Sequence, residues 1–372
     1  MSKTAINRQQ LGLAIANIIG AVKRISETKY VVKSQNGNGD YDVCLTELGW
    51  VCLCPDHKHR GIKCKHIFAV EISFALHKEV EVARIEPVDI QCCIYCKSPS
   101  IVKDGLRYNK YGTIQKFNCR GCGHYFTINL GFEKMHATPQ MITSALQLYF
   151  TGESFRNIQN FLRLQGVKMS HVAIYKWVKK YIGLMQAYLE KITPNVADAW
   201  RADELYVKVR GNPKYLYALM DDQTRFWIAQ QVADTKYTSD VRLLFARAKE
   251  ITGKKPNTMI TDGAPNFHDA FMKEFFTISN PRTRHISHIR LQGDHNNNKM
   301  ERMNGEVRDR EKVMRGLKRK DTAVLTGYQL YHNYFRPHEA LDGMTPAEKC
   351  GIIIEGQDKW KTVIENASVK NK

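Results

Sequence analysis

Eight potential metal ligands fall into two groups of four, and their spacing constrains this 372-residue chain more than any other feature. Cys93 and Cys96 form one CxxC pair, and Cys119 and Cys122 form a second. Two residues between thiolates let both sulfurs of a tight turn face one tetrahedral ion. Between the pairs lie a strand-like segment at Ser100–Val102, a polar turn and a second such segment at Thr113–Asn118. Gly121 and Gly123 flank the last knuckle and permit its turn. Two knuckles joined by a short antiparallel sheet predict a zinc ribbon over residues 90–130, with a 22-residue gap slightly longer than usual. Cys92 competes with Cys93 for the first position, but only Cys93 gives the CxxC spacing.

The other group reads Cys52-Leu-Cys54, then Cys64-Lys-His66. A gap of one residue on a strand puts both side chains on one face. Gly49–Leu53 alternates well enough to be that strand, and Ile67–Leu76 is apolar at helical spacing. A strand followed by a helix closes a Cys3His site, with His57 and His59 as alternative ligands from the loop. This CxC…CxH order, over residues 28–77, resembles the SWIM zinc finger, and a SWIM-like module is expected over 1–85. Four protein ligands close the coordination sphere, so both zinc ions are expected to be structural. Segments this short need the metal's free energy to fold. Cys44 and Cys350 have no partner at metal spacing and are read as core thiols.

Disulfides are not expected, because the chain reads as intracellular, where thiols stay reduced. The apolar stretch Leu11–Val22 is shorter than the ~20 residues of a membrane span, and no secretory signal or lipidation motif is evident. Lys plus Arg number 56 and Asp plus Glu 37, a net charge of +19. That excess favours a polyanionic partner, nucleic acid first among them. A cytoplasmic, nucleoid-associated protein with no membrane partner is the expectation.

From Thr138 the pattern becomes helical for about 45 residues. Pro139 suits the first turn of a helix over Gln140–Phe150, Ser154 caps a second through Leu164, and Ser170 a third through Ile182. Ile174, Trp177, Val178 and Tyr181 form a buried stripe that leaves His171, Tyr175, Lys176, Lys179 and Lys180 outside. A capped helix with a basic outer face after a short turn is the helix-turn-helix plan, expected over 138–190, whose second helix reads the major groove. Any three-helix packing unit has a similar pattern. The Ser170-His-Val-Ala-Ile-Tyr-Lys-Trp-Val178 run resembles recognition helices of insertion-sequence transposases.

From residue 198 the period changes to two. Ala199–Val209 alternates, with Arg201, Asp203, Leu205, Val207 and Val209 on one face. Tyr215–Met220 and Trp227–Val232 are further strands, with turns at Asn212-Pro213 and Asp221-Asp222-Gln223. A helix over Ser239–Ile251, a strand over Thr258–Thr261, a helix from about Asn266 to Phe276 and a strand over Arg284–Ile289 follow. This order predicts an α/β domain over 195–350, a mixed sheet flanked by helices, entered near Lys191–Asn195 at Pro194. Residues 351–372 read as a tail.

Taken singly, Asp203 reads as a solvent-facing strand residue, Asp262 as an Asp-Gly turn and Glu301 as part of a solvated helix face. Together, carboxylates at the middle of a first strand, the end of a fourth and the start of a following helix can meet at one point. That constellation resembles the DDE site of RNase H-like transposases and retroviral integrases. Between Asp262 and Glu301 lie 38 residues, close to the family's spacing. Ala199-Trp-Arg-Ala-Asp-Glu-Leu-Tyr-Val-Lys-Val209 is similar to the family's first strand, and Asn297-Asn-Lys-Met-Glu-Arg-Met-Asn-Gly305 to its glutamate motif. Tyr331-His-Asn-Tyr-Phe-Arg-Pro-His-Glu-Ala-Leu-Asp-Gly-Met-Thr-Pro-Ala-Glu348 is similar to its C-terminal signature. With a ribbon and helix-turn-helix ahead, the arrangement resembles the insertion-sequence family numbered six and its archaeal relatives; the SWIM-like finger departs from that pattern.

The resemblance implies a transposase that binds insertion-sequence ends, hydrolyses phosphodiester bonds there and joins 3′-hydroxyl ends to target DNA as a homodimer or larger assembly. It implies two Mg²⁺ or Mn²⁺ ions, with Asp203 bridging both, Asp262 on one and Glu301 on the other. Three carboxylates suit hard cations that stabilise the attacking and leaving oxygens. Glu204, on the opposite strand face, and Glu306, well round the helix, are left out. On the helix from Lys299, Met300, Met303, Val307, Met314 and Leu317 form an apolar stripe. Glu301, Arg308, Lys312, Arg315 and Arg319 form another, expected to guide a DNA backbone; the alternative is a solvated face paired to Glu306, Asp309 and Glu311. Two competing functions remain at this level: a non-catalytic DNA-binding regulator derived from a transposase, and an RNase H-like nuclease without a joining step.

Overall fold

The computed structural model describes residues 3–18, 21–25, 29–35, 39–46, 49–78, 82–109, 112–127, 129–277, 282–287, 298–314, 317–319 and 323–369. Two compact units divide the chain, Met1–Glu81 and Val82–Lys372. Among the described residues no helix is long and apolar enough to cross a membrane.

In the first unit, α1 (Lys3–Ala16) precedes an antiparallel sheet in sequential order: β1 (Val22–Arg24), β2 (Lys29–Lys33), β3 (Asp40–Thr46) and β4 (Gly49–Cys52). The segment after Cys54 is not the expected irregular loop. It forms α2 (Pro55–Arg60), which starts on a proline and ends at Gly61, whose φ of 62° gives the left-handed cap that glycine adopts freely. Then α3 (Lys65–Lys78) packs against α1. Tyr30, Val32, Val43, Ile67 and Val70 bury with Cys52, Cys54 and Cys64, so the core of this unit is built around thiols. Cys44 is only half-buried, contrary to expectation, because its neighbour Val43 takes the inward position on β3.

In the second unit, β5 (Ala83–Ile85) leads to an antiparallel three-stranded sheet of β6 (Ile101–Asn109), β7 (Gly112–Cys119) and β8 (Tyr125–Thr127). Three helices follow, α4 (Pro139–Thr151), α5 (Phe155–Leu164) and α6 (His171–Leu189). The expected caps are present: Thr138, Ser154 and Ser170 each accept a backbone N–H three residues on. However, α6 runs past Ile182 to Leu189. Gly183 does not stop it because Met185, Tyr188 and Leu189 continue the buried stripe.

Next come β9 (Ala199–Val209), β10 (Asn212–Asp221), β11 (Trp227–Ala233), α7 (Thr238–Thr252), β12 (Thr258–Thr261), α8 (Pro265–Glu274), β13 (Arg284–Ser287), α9 (Asn298–Met314) and α10 (Ala323–Leu330). The sheet order is β11-β10-β9-β12-β13, with the first three strands antiparallel and β9, β12 and β13 parallel. This is the predicted mixed sheet. The β9–β10 turn sits at Arg210-Gly211, with φ of 53° and 84°, not at Asn212-Pro213. Two successive positive φ values make the tight hairpin turn that matches strand twist, and Asn212 already pairs with Val209. The even-numbered face of β9 carries Trp200, which meets Phe275 edge-on beneath α7 and α8; the odd-numbered face carries Arg201 and Asp203, towards α9.

Residues after Gly351 are not a tail. Beyond α11 (Pro346–Lys349), β14 (Ile352–Ile354) pairs in parallel with β5. In α12 (Lys359–Val369), Trp360, Val363 and Ile364 are buried. The Trp360 ring stacks on Phe335 at 3.7 Å between centroids.

One close approach makes a testable point. A Cβ on Gly327 of α10 would lie 2.3 Å from Phe150 Cζ and 2.9 Å from Ile182 Cδ1, both in a packed core. Overpacking costs about 1–3 kcal/mol and outweighs the ~1 kcal/mol that alanine gains over glycine in a helix. Gly327→Ala is therefore expected to lower the urea midpoint with an unchanged denaturant slope; an unchanged or higher midpoint contradicts the packing described.

Candidate active site and metal-binding clusters

The acidic residues are placed by the sheet. Asp203 lies mid-strand in β9, 8% exposed. Ile260 of β12 is in register with Arg201, the last pair of that parallel ladder, and Asp262 follows two residues later. Asp262 is exposed just past the end of β12; its Oδ1 accepts the Ala264 N–H at 3.0 Å, and Gly263 follows with a φ of 86°. The short carboxylate thus closes the strand-to-helix turn while facing solvent. Glu301 is exposed in the first turn of α9. One turn later, Asn304 is buried and its Nδ2 donates to Asp203 Oδ2 at 2.9 Å. Residues three apart share a helix face, so this bond turns the Glu301 side of α9 towards β9. The three acids thus stand in the middle of β9, just past the end of β12 and in the first turn of α9, and they are not among the groups whose ligand atoms lie within 4.8 Å of one another.

Around Asp203 the charges are organised. Arg201, 1% exposed, pairs with Asp222, which also accepts Lys299 Nζ at 2.8 Å. Burial alone raises a carboxyl's pKa; at Asp222 the Lys299 and Arg201 contacts overcome it and hold it below the usual range. Lys299 belongs to the first turn of α9, so this network anchors the helix that carries Glu301. Glu204 faces away, paired with Lys236, and Glu306 pairs with Arg336; neither joins the trio.

The C-terminal signature has a structural meaning that the sequence reading did not assign. Tyr331–Phe335 form a π-helical turn, a form found mostly at functional sites. Its Asn333 accepts Trp227 N–H at 2.8 Å and donates to Trp227 C=O at 2.9 Å, while His332 Nε2 lies 3.0 Å from the Arg225 carbonyl. The motif thereby clamps the turn between β10 and β11. His332 is 3% exposed, and desolvation, aided by His338, Arg336 and Arg225, lowers its pKa to about 3. Between pH 6.5 and about 3 the unfolded chain binds a proton there that the folded chain does not, so stability falls as pH falls through this window. His332→Gln is expected to flatten the melting temperature against pH over that range; parallel wild-type and variant curves would remove His332 as the cause.

The expected DNA-facing helix is partly as read. His171, Tyr175, Lys176 and Lys179 are exposed on α6. Lys180 is committed elsewhere: its Nζ donates to the Gly131 carbonyl at 3.2 Å. On α9, Met300, Met303 and Val307 are buried, and Arg308 and Lys312 are exposed, with Lys312 paired to Asp309. The stripe does not continue as drawn, because α9 ends at Met314 and Leu317 instead bridges to Val209. Arg319 is thus off the helix, and Arg315 lies outside the described residues.

Two clusters could hold a metal, Cys52-Cys54-Cys64-His66 and Cys93-Cys96-Cys119-Cys122, each with its ligand atoms within 4.8 Å of one another. These are the eight residues picked out by spacing. His57 is not among them; its Nδ1 contacts the Ile62 carbonyl at 2.8 Å. The sulfurs of Cys93 and Cys122 lie 3.7 Å apart and those of Cys96 and Cys119 3.5 Å. A disulfide needs ~2.05 Å, whereas the edge of a Zn–thiolate tetrahedron with ~2.3 Å bonds is about 3.8 Å. His66 Nδ1 sits 3.9 Å from the sulfurs of both Cys52 and Cys64. Hydrogen bonding from Cys52 holds the Cys64 thiol down, while the same contact pushes Cys52 up.

Residues 197–338 match the family model described as a DDE domain. This part of the chain is similar to a DDE domain. All three acids and the first half of the C-terminal signature lie within it. The transposase for insertion sequence-like element IS431mec of Staphylococcus aureus strain Mu50 is 30% identical over 125 residues, 32% of this chain and 53% of the relative. The transposase for insertion sequence element IS257 in transposon Tn4003, also from Staphylococcus aureus, is 30% identical over 139 residues, 36% of this chain and 59% of the relative. The chain thus spans little more than half the length of these curated relatives. Among solved structures, the HTLV-2 integrase catalytic core domain in complex with magnesium is 17% identical, covers 43% of this chain and 98% of its own, and gives a TM-score of 0.31.

Proposed function

We propose that the chain is a DDE transposase that cuts the ends of an insertion sequence and joins the freed 3′-hydroxyls to target DNA. The observation that supports this reading best is the match of residues 197–338 to a DDE domain model, in a segment where Asp203 sits mid-strand, bonded by Asn304 of the helix that carries Glu301, and Asp262 follows the strand parallel to it. The all-oxygen donor set suits Mg²⁺ or Mn²⁺. Two such ions would stabilise the attacking and leaving oxygens of an in-line displacement. Asp203, Asp262 and Glu301 are the residues that would hold these ions. Asn304 fixes the rotamer of Asp203, and the Arg201–Asp222–Lys299 network fixes α9, so the carboxylates meet the phosphodiester in a set geometry. No protein nucleophile is needed.

The modules outside the DDE domain complete the reading. Two structural zinc ions order a SWIM-like module over 1–85 and a ribbon over 90–130, and α5 and α6 act as a helix-turn-helix within 138–190. His171, Tyr175, Lys176 and Lys179 are its DNA-contacting face, and Arg308 and Lys312 on α9 supply phosphate contacts. The enzyme works on DNA as a homodimer or larger assembly, in the cytoplasm and associated with the nucleoid.

A strand-transfer assay tests the core of this. Purified protein, labelled element-end DNA and plasmid are combined with Mg²⁺ or Mn²⁺, beside an Asp262→Asn control. Joined product that requires both the metal and Asp262 is the expected result. Tight end binding with neither cleavage nor joining in either metal would point instead to a DNA-binding regulator.

A further inference from the structure

A cavity of about 240 Å³ opens beside α9, walled by the helix on one side and by the π-helical turn and the Arg336–Ala340 segment on the other. It is smaller than the ~300–1,000 Å³ of sites that enclose a whole small-molecule ligand. Four cations line it: Arg225, Lys299, Arg302 and Arg336. Two are neutralised in place, Lys299 by Asp222 and Arg336 by Glu306. Neither Arg225 nor Arg302 forms an ion pair with a described residue. After burial itself, the nearness of Arg302 is what most depresses the Arg225 guanidinium; Asp222 and Glu306 nearby offset this in part, and both of those acids already pair with other cations. The remaining acid is Glu339, exposed on the lining.

The wall is a built one. Arg225 is held at a φ of 57°, a left-handed conformation unusual for arginine, by the His332 contact to its carbonyl. His332 also lines the cavity, and its buried Nδ1 has no hydrogen-bond partner among the described residues. His332, neutral and donating Nε2–H to the Arg225 carbonyl, holds the turn and is not itself a phosphate donor; two like charges, one of them in this strained turn, are unfavourable without an anion between them. A phosphate oxygen pair matches a guanidinium fork and relieves the repulsion.

We propose that this cavity binds a phosphate group of a DNA strand, one that flanks the phosphodiester held at the carboxylates. The placement fits: Arg302 directly follows Glu301, and Met220 on the cavity wall pairs across the ladder with Arg201, two residues from Asp203. The inference rests on the DNA-processing reading above, but its test does not depend on catalysis.

The full chain is titrated with a labelled 30-base-pair duplex over a salt series without added Mg²⁺ or Mn²⁺. Arg302→Ala and Arg225→Gln are each expected to weaken binding about tenfold and to reduce the salt slope by about one, the signature of a lost phosphate contact. Arg302 is exposed, so its truncation leaves the fold intact if Arg225→Gln does not. In parallel, inorganic phosphate at matched ionic strength is expected to raise the melting temperature of the wild type and not of Arg302→Ala. Unchanged affinity and slope in both variants, with strand transfer intact in the wild type, overturns the site and leaves the transposase reading standing. Mutation-sensitive binding without any strand transfer keeps the site and overturns that reading. Phosphate protection that depends on Arg302, with duplex binding that does not, overturns the DNA strand as the source in favour of a free phosphate compound.

Discussion

Asp203→Asn is expected to lower the rate of strand transfer by at least about 10³-fold while leaving DNA-end affinity and melting temperature near wild type. The rate expectation follows from charge. In the proposed site Asp203 would be the central ligand, and asparagine would remove a full negative charge from the set that holds the divalent ions. Losing either ion forfeits several kcal/mol of transition-state stabilisation, and a 10³-fold loss corresponds to about 4 kcal/mol. The stability expectation follows from shape. Asp203 is buried in β9 and accepts a hydrogen bond from Asn304 Nδ2 at 2.9 Å. An asparagine there keeps a carbonyl oxygen for that bond and the same volume, so the strand and its contact with α9 survive. Asn304→Ala gives the complementary result. It leaves every carboxylate in place but frees Asp203 and one face of α9, so it should slow joining by a smaller factor, and the deficit should shrink as Mn²⁺ is raised. Normal joining by Asp203→Asn would remove this residue from the site; equal loss of melting temperature and activity would show it to be structural.

How much of this was legible in the sequence depends on the range of the interactions. The eight residues singled out by spacing are the ones the structure gathers into two clusters that could hold a metal, because metal geometry ties each pair to a local spacing of one or two residues. The helix starts at Thr138, Ser154 and Ser170 were legible for the same reason: a cap is a three-residue event. The alternation of Ala199–Val209 fixed which side chains share a face, and Arg201 and Asp203 do lie together on it. What escaped was long-range. Asn304 meets Asp203 across 101 residues, and nothing local marks a helical asparagine as the positioner of a strand carboxylate. Asn333 and His332 clamp a turn more than 100 residues earlier in the chain, so their motif was visible as a motif and opaque as a device. The segment after Gly351 looked featureless because β14 is three residues long and draws its meaning from a partner strand at Ala83–Ile85. The end of α9 was misplaced because helical periodicity continues on paper through Leu317, whereas the chain there leaves the helix to bridge Val209. Arg210-Gly211 was passed over as a turn in favour of Asn212-Pro213, since an arginine at positive φ has no sequence signal of its own.

Withdrawal of metal is expected to unfold both cysteine-bearing modules while the β9–β12 sheet stays folded. In the first unit, Cys52, Cys54 and Cys64 are themselves core residues, packed with Val32, Val43 and Ile67. Without a cation, that core must hold thiols pressed together around a histidine whose Nε2 is already buried without a partner among the described residues. In the second cluster's segment the case is stronger, because among the described residues its buried cluster consists of Cys93, Cys119 and Phe126, supported by a few half-buried neighbours. Structural zinc contributes about 10–16 kcal/mol in small modules, comparable to the ~5–15 kcal/mol that stabilises a typical whole domain. No rearrangement of so small an apolar set can replace it. The central sheet draws instead on a large continuous core that includes Trp200, Trp227, Phe245 and Phe267. A zinc-selective chelator should therefore release two equivalents of zinc per chain, scored by a colorimetric dye. Peptide-resolved hydrogen exchange should then show protection lost over 29–78 and 92–127 and retained over 199–261. Cys64→Ala should release one equivalent and lose protection only in the first of these regions, and Cys119→Ala only in the second. Retained protection in both regions after full chelation would mean that the cysteines pack as ordinary core thiols, and the two clusters would then lose their standing as metal sites despite their tetrahedral spacing.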